Sequence, residues 1–203
     1  MVEIIPINLV VEDDLSEVVL QKIFTESTRN YAVGTIYGKT GYGYIKQKIE
    51  AINEAAKGTP FAIIVDLEEE CPPVQLREWI HRPLHPNLIF RIAVNEVESW
   101  LLADKKSFAS YLNISETLIP NNADSIPSPK NFLIQLAKRS RKRLLREAIV
   151  PVDNSTARVG PDYNGQLSSF VFTNWSIKEA IKNSDSLKRA VEAINTFVPQ
   201  WNN

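Results

Sequence analysis

The sequence predicts an α/β fold with a mostly parallel sheet, Rossmann-like in outline, and three observations carry that prediction. Strand-like runs at Ile4–Val11, Tyr31–Tyr37, Phe61–Val65 and Leu88–Val94 alternate with helix-like stretches, the pattern of successive βαβ units. Phe61–Val65 is apolar at every residue, as in a strand buried on both faces. Three of the runs lead into carboxylates, two directly and the third past Asn95. Ile7–Val11 leads into Glu12, Asp13 and Asp14, with Glu17 a turn later; Phe61–Val65 leads into Asp66, Glu68, Glu69 and Glu70; Leu88–Val94 leads into Glu96 and Glu98. Open α/β sheets bind ligands beyond the carboxyl ends of their strands, so acids placed there can converge.

The elements follow in order. After the first strand, Leu15, Val18, Val19, Leu20 and Ile23 give a helix with a broad apolar face. Tyr31–Tyr37 is rich in β-branched and aromatic residues, and Gly38, Gly41 and Gly43 then mark a loop. Ile45, Ile49, Ile52 and Ala56 space a helix that Gly58 stops. A short helix over Val74–Ile80 ends near Pro83 and Pro86, and another containing Trp100, Leu101 and Leu102 follows the fourth strand. Ser128 and Pro129 then open a helix as N-cap and first residue. Its apolar positions are Phe132, Leu133, Leu136, Ala137, Leu144, Leu145 and Ala148, so one helix is expected through Ala148. Pro151–Pro161 reads as a loop, with shorter helices near Gln166–Phe172, Ile177–Lys182 and Leu187–Phe197. The expected organisation is an α/β domain over residues 1–112 and a helical extension over 113–203 packed on it.

Composition bounds the function. Of the 203 residues, 44% are apolar and 23% charged, enough apolar mass for a substantial core. The net charge of −1 gives no global basic field, so nucleic-acid binding would need a local patch. Cys71 is the single cysteine, which excludes an internal disulfide and suits a reducing compartment. No run approaches the roughly 20 apolar residues of a membrane span, and Glu3, Pro6 and Asn8 interrupt any leader-like start. A soluble, cytoplasmic protein without membrane contact is expected.

Carboxylates that gather against their mutual repulsion point to a cation, and hard oxygen ligands suit Mg²⁺ or Mn²⁺. The other reading makes the same acids helix caps and solvated charges, with Asp13 or Asp14 a good N-cap. The order Glu12 after the first strand, then Asp66-Leu67-Glu68 after a later one, resembles the signature of the TOPRIM fold of topoisomerases, primases and OLD-type nucleases. That resemblance implies Glu12 as general acid/base and Asp66 with Glu68 as Mg²⁺ ligands for phosphodiester chemistry. Two positions depart from it: Asp13 stands where glycine is usual, and Glu68 where aspartate is usual. The stretch Arg91-Ile92-Ala93-Val94-Asn95-Glu96-Val97-Glu98-Ser99-Trp100-Leu101-Leu102-Ala103-Asp104 resembles the E-x-W-x-x-A-D hallmark of a bacterial TOPRIM-like family of unknown function. Asp124–Leu133 with Lys130, Gly160–Asn164 and Ser184–Leu187 are similar to it as well. That family is often encoded beside an AAA- or SMC-like ATPase in settings suggestive of phage defence, which implies an ATPase partner. Glu98 is then either a third metal ligand or a first-turn acid favoured by the helix dipole.

Lys138, Arg139, Arg141, Lys142, Arg143 and Arg146 put six cations within nine residues. On one helix they would spare the stripe of Leu133, Ala137, Leu144 and Ala148. They form either a nucleic-acid phosphate surface, with Arg139, Arg141, Lys142 and Arg143 as contacts, or a solvated face. Gly34-x-x-x-Gly38-Lys39-Thr40 is one residue short of a phosphate-binding P-loop, and Gly41 and Gly43 stand where its helix should begin. Lys39, in a flexible glycine-rich loop, and Lys130 are expected as phosphate contacts. His81 and His85 lie four apart, but Pro83 and Pro86 oppose the helix that would align them for zinc. Trp79, Trp100 and Trp175 are expected in the core. Three functions remain: a Mg²⁺-dependent phosphodiesterase, most simply a nuclease on DNA or RNA; a non-catalytic or conditionally active effector held by an ATPase; or a nucleotide-processing phosphohydrolase with a small substrate.

Overall fold

The computed structural model describes residues 4–201. Four strands, β1 (Ile4–Val11), β2 (Asn30–Gly38), β3 (Phe61–Asp66) and β4 (Leu88–Ala93), form one sheet in the order β2-β1-β3-β4 with every pairing parallel. The helices α1 (Asp14–Thr25), α2 (Tyr42–Ala55) and α3 (Pro72–Trp79) are the crossovers. The chain is therefore α/β with an all-parallel sheet, an arrangement compatible with a Rossmann-like fold. From β1 it steps to β2 on one side, then crosses back to β3 on the other, so strand order reverses between β1 and β3.

The chain falls into two compact units: residues 1–94 with 188–203, and residues 95–187. This division differs from the expected boundary at 112/113. Helix α10 (Asp185–Thr196) carries the C-terminal segment back to the sheet unit. There the Tyr31 hydroxyl donates to the Ile194 carbonyl, and the Asn195 side chain accepts from Ser27 Oγ at 2.9 Å and the Thr28 amide at 3.0 Å. Amphipathic periodicity identifies such a helix but is silent on which surface its apolar stripe covers.

In the first unit, one sheet face packs against α2 and α3. Val10, Phe61, Ile63, Val65, Phe90 and Ile92 from the strands meet Ile45, Ile49 and Trp79 from the helices. β3 is buried along its apolar run, as its uniform composition requires. β2 is an edge strand, with Val33 and Tyr37 exposed. Its pairing with β1 slips between Ile7 and Leu9, and Asn8 repairs the gap by accepting the Thr35 amide at 2.9 Å.

The second unit is helical: α4 (Glu98–Ala103), α5 (Lys105–Leu112), α6 (Pro129–Lys138), α7 (Arg143–Ile149), α8 (Tyr163–Thr173) and α9 (Ile177–Ala180), with two short 3₁₀ turns. All of α4 is buried, and Trp100, Phe108, Leu133, Leu167 and Phe170 are among the core residues. Trp79 and Trp175 are buried too, as expected. The expected single helix through Ala148 is instead two. The chain leaves helix at Arg139–Lys142 because Ser140 turns inward: its hydroxyl donates to the Leu112 carbonyl at 2.6 Å and accepts the Lys142 amide at 3.1 Å. Leu144, placed on the apolar stripe by sequence, is 83% exposed as a result. Among the described residues no helix is long and apolar enough to cross a membrane.

Candidate functional site

β1 ends at Val11 and α1 begins at Asp14, so Glu12 and Asp13 form the junction between them. Asp13 is the N-cap, accepting the Ser16 amide at 2.8 Å. Its side chain is thereby committed to the helix, while Glu12 stays at the strand end. Glu12 is 9% exposed, and its Oε1 accepts the backbone N–H of Asp66 at 2.9 Å. The acid after β1 is thus tied to the residue closing β3, across the point where strand order reverses. The Lys39 amide donates to the Val11 carbonyl at 2.9 Å and the Gly41 amide to the Glu12 carbonyl at 3.0 Å, so the β2–α2 turn holds the same strand end.

A residue passed over in the sequence organises the other half of the site. Gln75, fully buried on α3, donates through Nε2 to the Asp66 carbonyl at 2.8 Å. Its Oε1 accepts the Glu68 amide at 2.7 Å and the Glu69 amide at 3.3 Å. One side chain therefore braces the loop that carries Asp66, Glu68 and Glu69. The available signal was a glutamine one helical turn before Trp79, on a face that must be buried. Gln75→Ala strands a carbonyl and two amides, at about 1–3 kcal/mol for each group left buried. A stability loss of about 3 kcal/mol or more is expected, with faster amide hydrogen exchange at Glu68 and Glu69. Retained protection at those amides would deny Gln75 this role.

Lys39 sits with φ 64° after β2 and pairs with Asp14 at 3.1 Å and with Glu17. The Glu17 carboxylate first, then Asp14, raises the pKa of this amine. The structure therefore presents Lys39 as an ion-paired brace on α1. The expected glycine-rich loop is largely regular structure: Gly34 and Gly38 belong to β2, Gly41 is the N-cap of α2, and Gly43 is inside that helix.

In the second unit, Glu96 caps α6, its Oε2 accepting the Lys130 amide at 2.7 Å. Glu98 is almost fully buried; Oε1 accepts the Tyr163 hydroxyl at 2.9 Å and faces Lys130 Nζ at 3.4 Å. Among the described residues its Oε2 has no hydrogen-bond partner. Lys130 also lines a cleft of about 520 Å³ with Glu96, Asn131, Arg158 and Val159. Trp100 and Asp104, further along the same stretch, also make hydrogen bonds within this unit. The Trp100 indole donates to Ser186 Oγ at 2.7 Å, and buried Asp104 accepts the Ser107 amide at 3.3 Å and the Ser176 amide at 2.8 Å.

Burial raises the pKa of Glu98, with the Lys130 charge opposing it. From the usual glutamate value of about 4.3 up to the raised folded value, the native state holds more proton than the unfolded chain. Stability is therefore greatest below the unfolded pKa and is lost as pH rises through the folded one. Glu98→Gln removes this dependence, and urea melts from pH 4 to pH 8 should show the variant gaining on the parent as pH rises. A parent that gains on the variant would mean that attraction to Lys130 outweighs burial.

The basic run is divided by its partners. Arg143 pairs with Glu147 at 2.8 Å, and Arg146 donates to the Ser140 carbonyl at 2.7 Å. Lys142 Nζ lies 5.7 Å from the centre of the Tyr111 ring. Arg139 and Arg141 line a separate cleft.

Among the described residues, no group of three or more His, Cys, Asp or Glu side chains is arranged to hold a metal ion. Mg²⁺ bound together with a phosphate typically uses one or two carboxylates, its other ligands being phosphate oxygen and water. Asp66, half-buried, and Glu68, exposed, offer hard oxygens of that kind on one braced loop. Oxygens of that class are the ones Mg²⁺ and Mn²⁺ take. Comparison with protein-family models gives no match, and neither curated proteins nor solved structures give one.

Proposed function

We propose that this protein is a Mg²⁺-dependent phosphodiesterase of TOPRIM-like type, most simply a nuclease on DNA or RNA. The observation that carries the reading is the bond from the Asp66 amide to the Glu12 carboxylate at the β1/β3 switch point, where α/β sheets bind their ligands. Asp66 and Glu68 would hold the metal. Bound there, Mg²⁺ supplies neutralisation of the phosphodiester charge. Glu12, oriented by the Asp66 amide, would move the proton of the attacking or leaving oxygen. Gln75 keeps the metal-side loop in register with Glu12 through its three hydrogen bonds, so that both halves of the site need no reorganisation when substrate arrives.

The deciding experiment is cleavage of labelled DNA and RNA with Mg²⁺, Mn²⁺ or EDTA, alone and with an AAA- or SMC-like ATPase. Metal-dependent cleavage that Asp66→Asn abolishes supports the reading. Absence of cleavage under every condition would leave the chain an effector or interaction module.

A further inference from the structure

We propose that Arg139 and Arg141, together with Asn113 and Ser115, form a phosphate-binding cleft in the second unit that takes the backbone of a nucleic acid. The cleft is open, encloses about 350 Å³, and has no carboxylate in its lining. The side chains of Arg139, Arg141 and Asn113 make no hydrogen bond or ion pair with any described residue. Each arginine thus presents an unspent planar fork, the geometry that matches phosphate oxygens in pairs.

The fold holds this arrangement without help from a ligand. Ser140, between the two arginines and 1% exposed, anchors the turn by its bonds to Leu112 and Lys142, and the Arg146 side chain clamps the Ser140 carbonyl. Asn113 closes α5 in the left-handed conformation, φ 54°, which brings its amide side chain to the same cleft. Ser140 thus fixes the backbone from which both arginines extend, so binding costs side-chain freedom but no ordering of the turn. A helix-dipole role accounts for Arg139, the C-cap of α6, but not for Arg141, which lies beyond the helix. Exposed Lys138 and Lys142 continue the positive charge past the cleft, so a polyanion fits better than a single small phosphate. No aromatic residue lines the cleft, and recognition is accordingly of the backbone and not of the bases.

The inference draws on the phosphodiesterase reading for the kind of polymer alone, and its test separates the two. Binding is measured by fluorescence anisotropy in EDTA with Asp66→Asn protein, which removes cleavage. The probes are a 20-nucleotide single strand and the matching duplex, with inorganic phosphate as competitor. Adding Arg139→Gln and Arg141→Gln is expected to weaken oligonucleotide binding about tenfold or more and to reduce the log–log salt slope by about 1.5, two contacts at roughly 0.7–0.9 each. Arg143→Gln, which removes the same charge from an ion-paired position, should change affinity less than about twofold. Should the glutamine pair fail to fold by circular dichroism, Arg139→Lys with Arg141→Lys decides, keeping charge but losing the forks, with an expected loss of at least about threefold. Binding that survives these changes as well as it survives Arg143→Gln overturns the proposal. So does phosphate binding with no affinity for either oligonucleotide, or no binding of any probe. Arginine-dependent binding by a protein that cleaves nothing would retire the phosphodiesterase reading and leave the cleft standing.

Discussion

Replacing Gly38 with alanine is expected to destabilise the first unit by about 3–5 kcal/mol, a loss in the range of strained or overpacked core sites. Gly38 closes β2 with φ 102°, a conformation costly for a residue with a side chain. A Cβ there would also lie 2.1 Å from the Val11 carbonyl oxygen and 3.2 Å from its carbon, and backbone cannot swing aside. Relief requires the strand ends to part. That breaks the bonds from the Lys39 amide to Val11 and from the Gly41 amide to Glu12, and so displaces the acid the site depends on. Urea denaturation measures the effect, with Gly43→Ala as the contrast. Gly43 is the second residue of α2 with nothing within 4 Å of an added Cβ, and alanine there should stabilise by up to about 0.5 kcal/mol. A Gly38→Ala protein as stable as its parent would show that the strand end is not held as described.

The Asp66→Asn protein should lose metal-dependent cleavage by about a thousandfold or more, a removal of about 4 kcal/mol of transition-state stabilisation. Its stability without metal should stay within about 0.5 kcal/mol of the parent or rise slightly, as relief of repulsion among neighbouring acids implies. Two bonds of the site use Asp66 backbone atoms: its amide reaches Glu12 and its carbonyl takes Gln75. Asparagine preserves both. Kinetics on oligonucleotides and thermal melts in EDTA read the two quantities independently. A large loss of metal-free stability would make Asp66 a structural acid, and the functional assignment would fall with it.

Parts of the site are legible in the sequence. Glu12 and Asp66 stand out because each follows an apolar run whose strand character is unmistakable, and topology then places adjacent strand ends together. Asp13 was readable as a cap from its position ahead of an apolar periodicity. Gln75 was not, since a glutamine in a short helix carries no mark of the carbonyl and amides it will meet. The basic run misled in a specific way. Its hydrophobic spacing is continuous through Ala148, but the inward hydrogen bonds of Ser140 outcompete helix continuation. Which of the cations remain available then depends on Glu147, Tyr111 and the Ser140 carbonyl, partners that charge counting does not reveal.

By itself, the sequence determined the α/β class, the four strands, and the presence of acids at their carboxyl ends, because local periodicity and strand propensity are properties of neighbouring residues. Tertiary structure decided the strand order β2-β1-β3-β4 and hence which two ends flank the reversal. It also decided the return of the C-terminal segment to the sheet unit and the burial of Glu98 against Tyr163 and Lys130, 65 and 32 residues further along the chain. Such outcomes depend on contacts between distant segments, whose loop-closure cost is repaid only when the surrounding core forms.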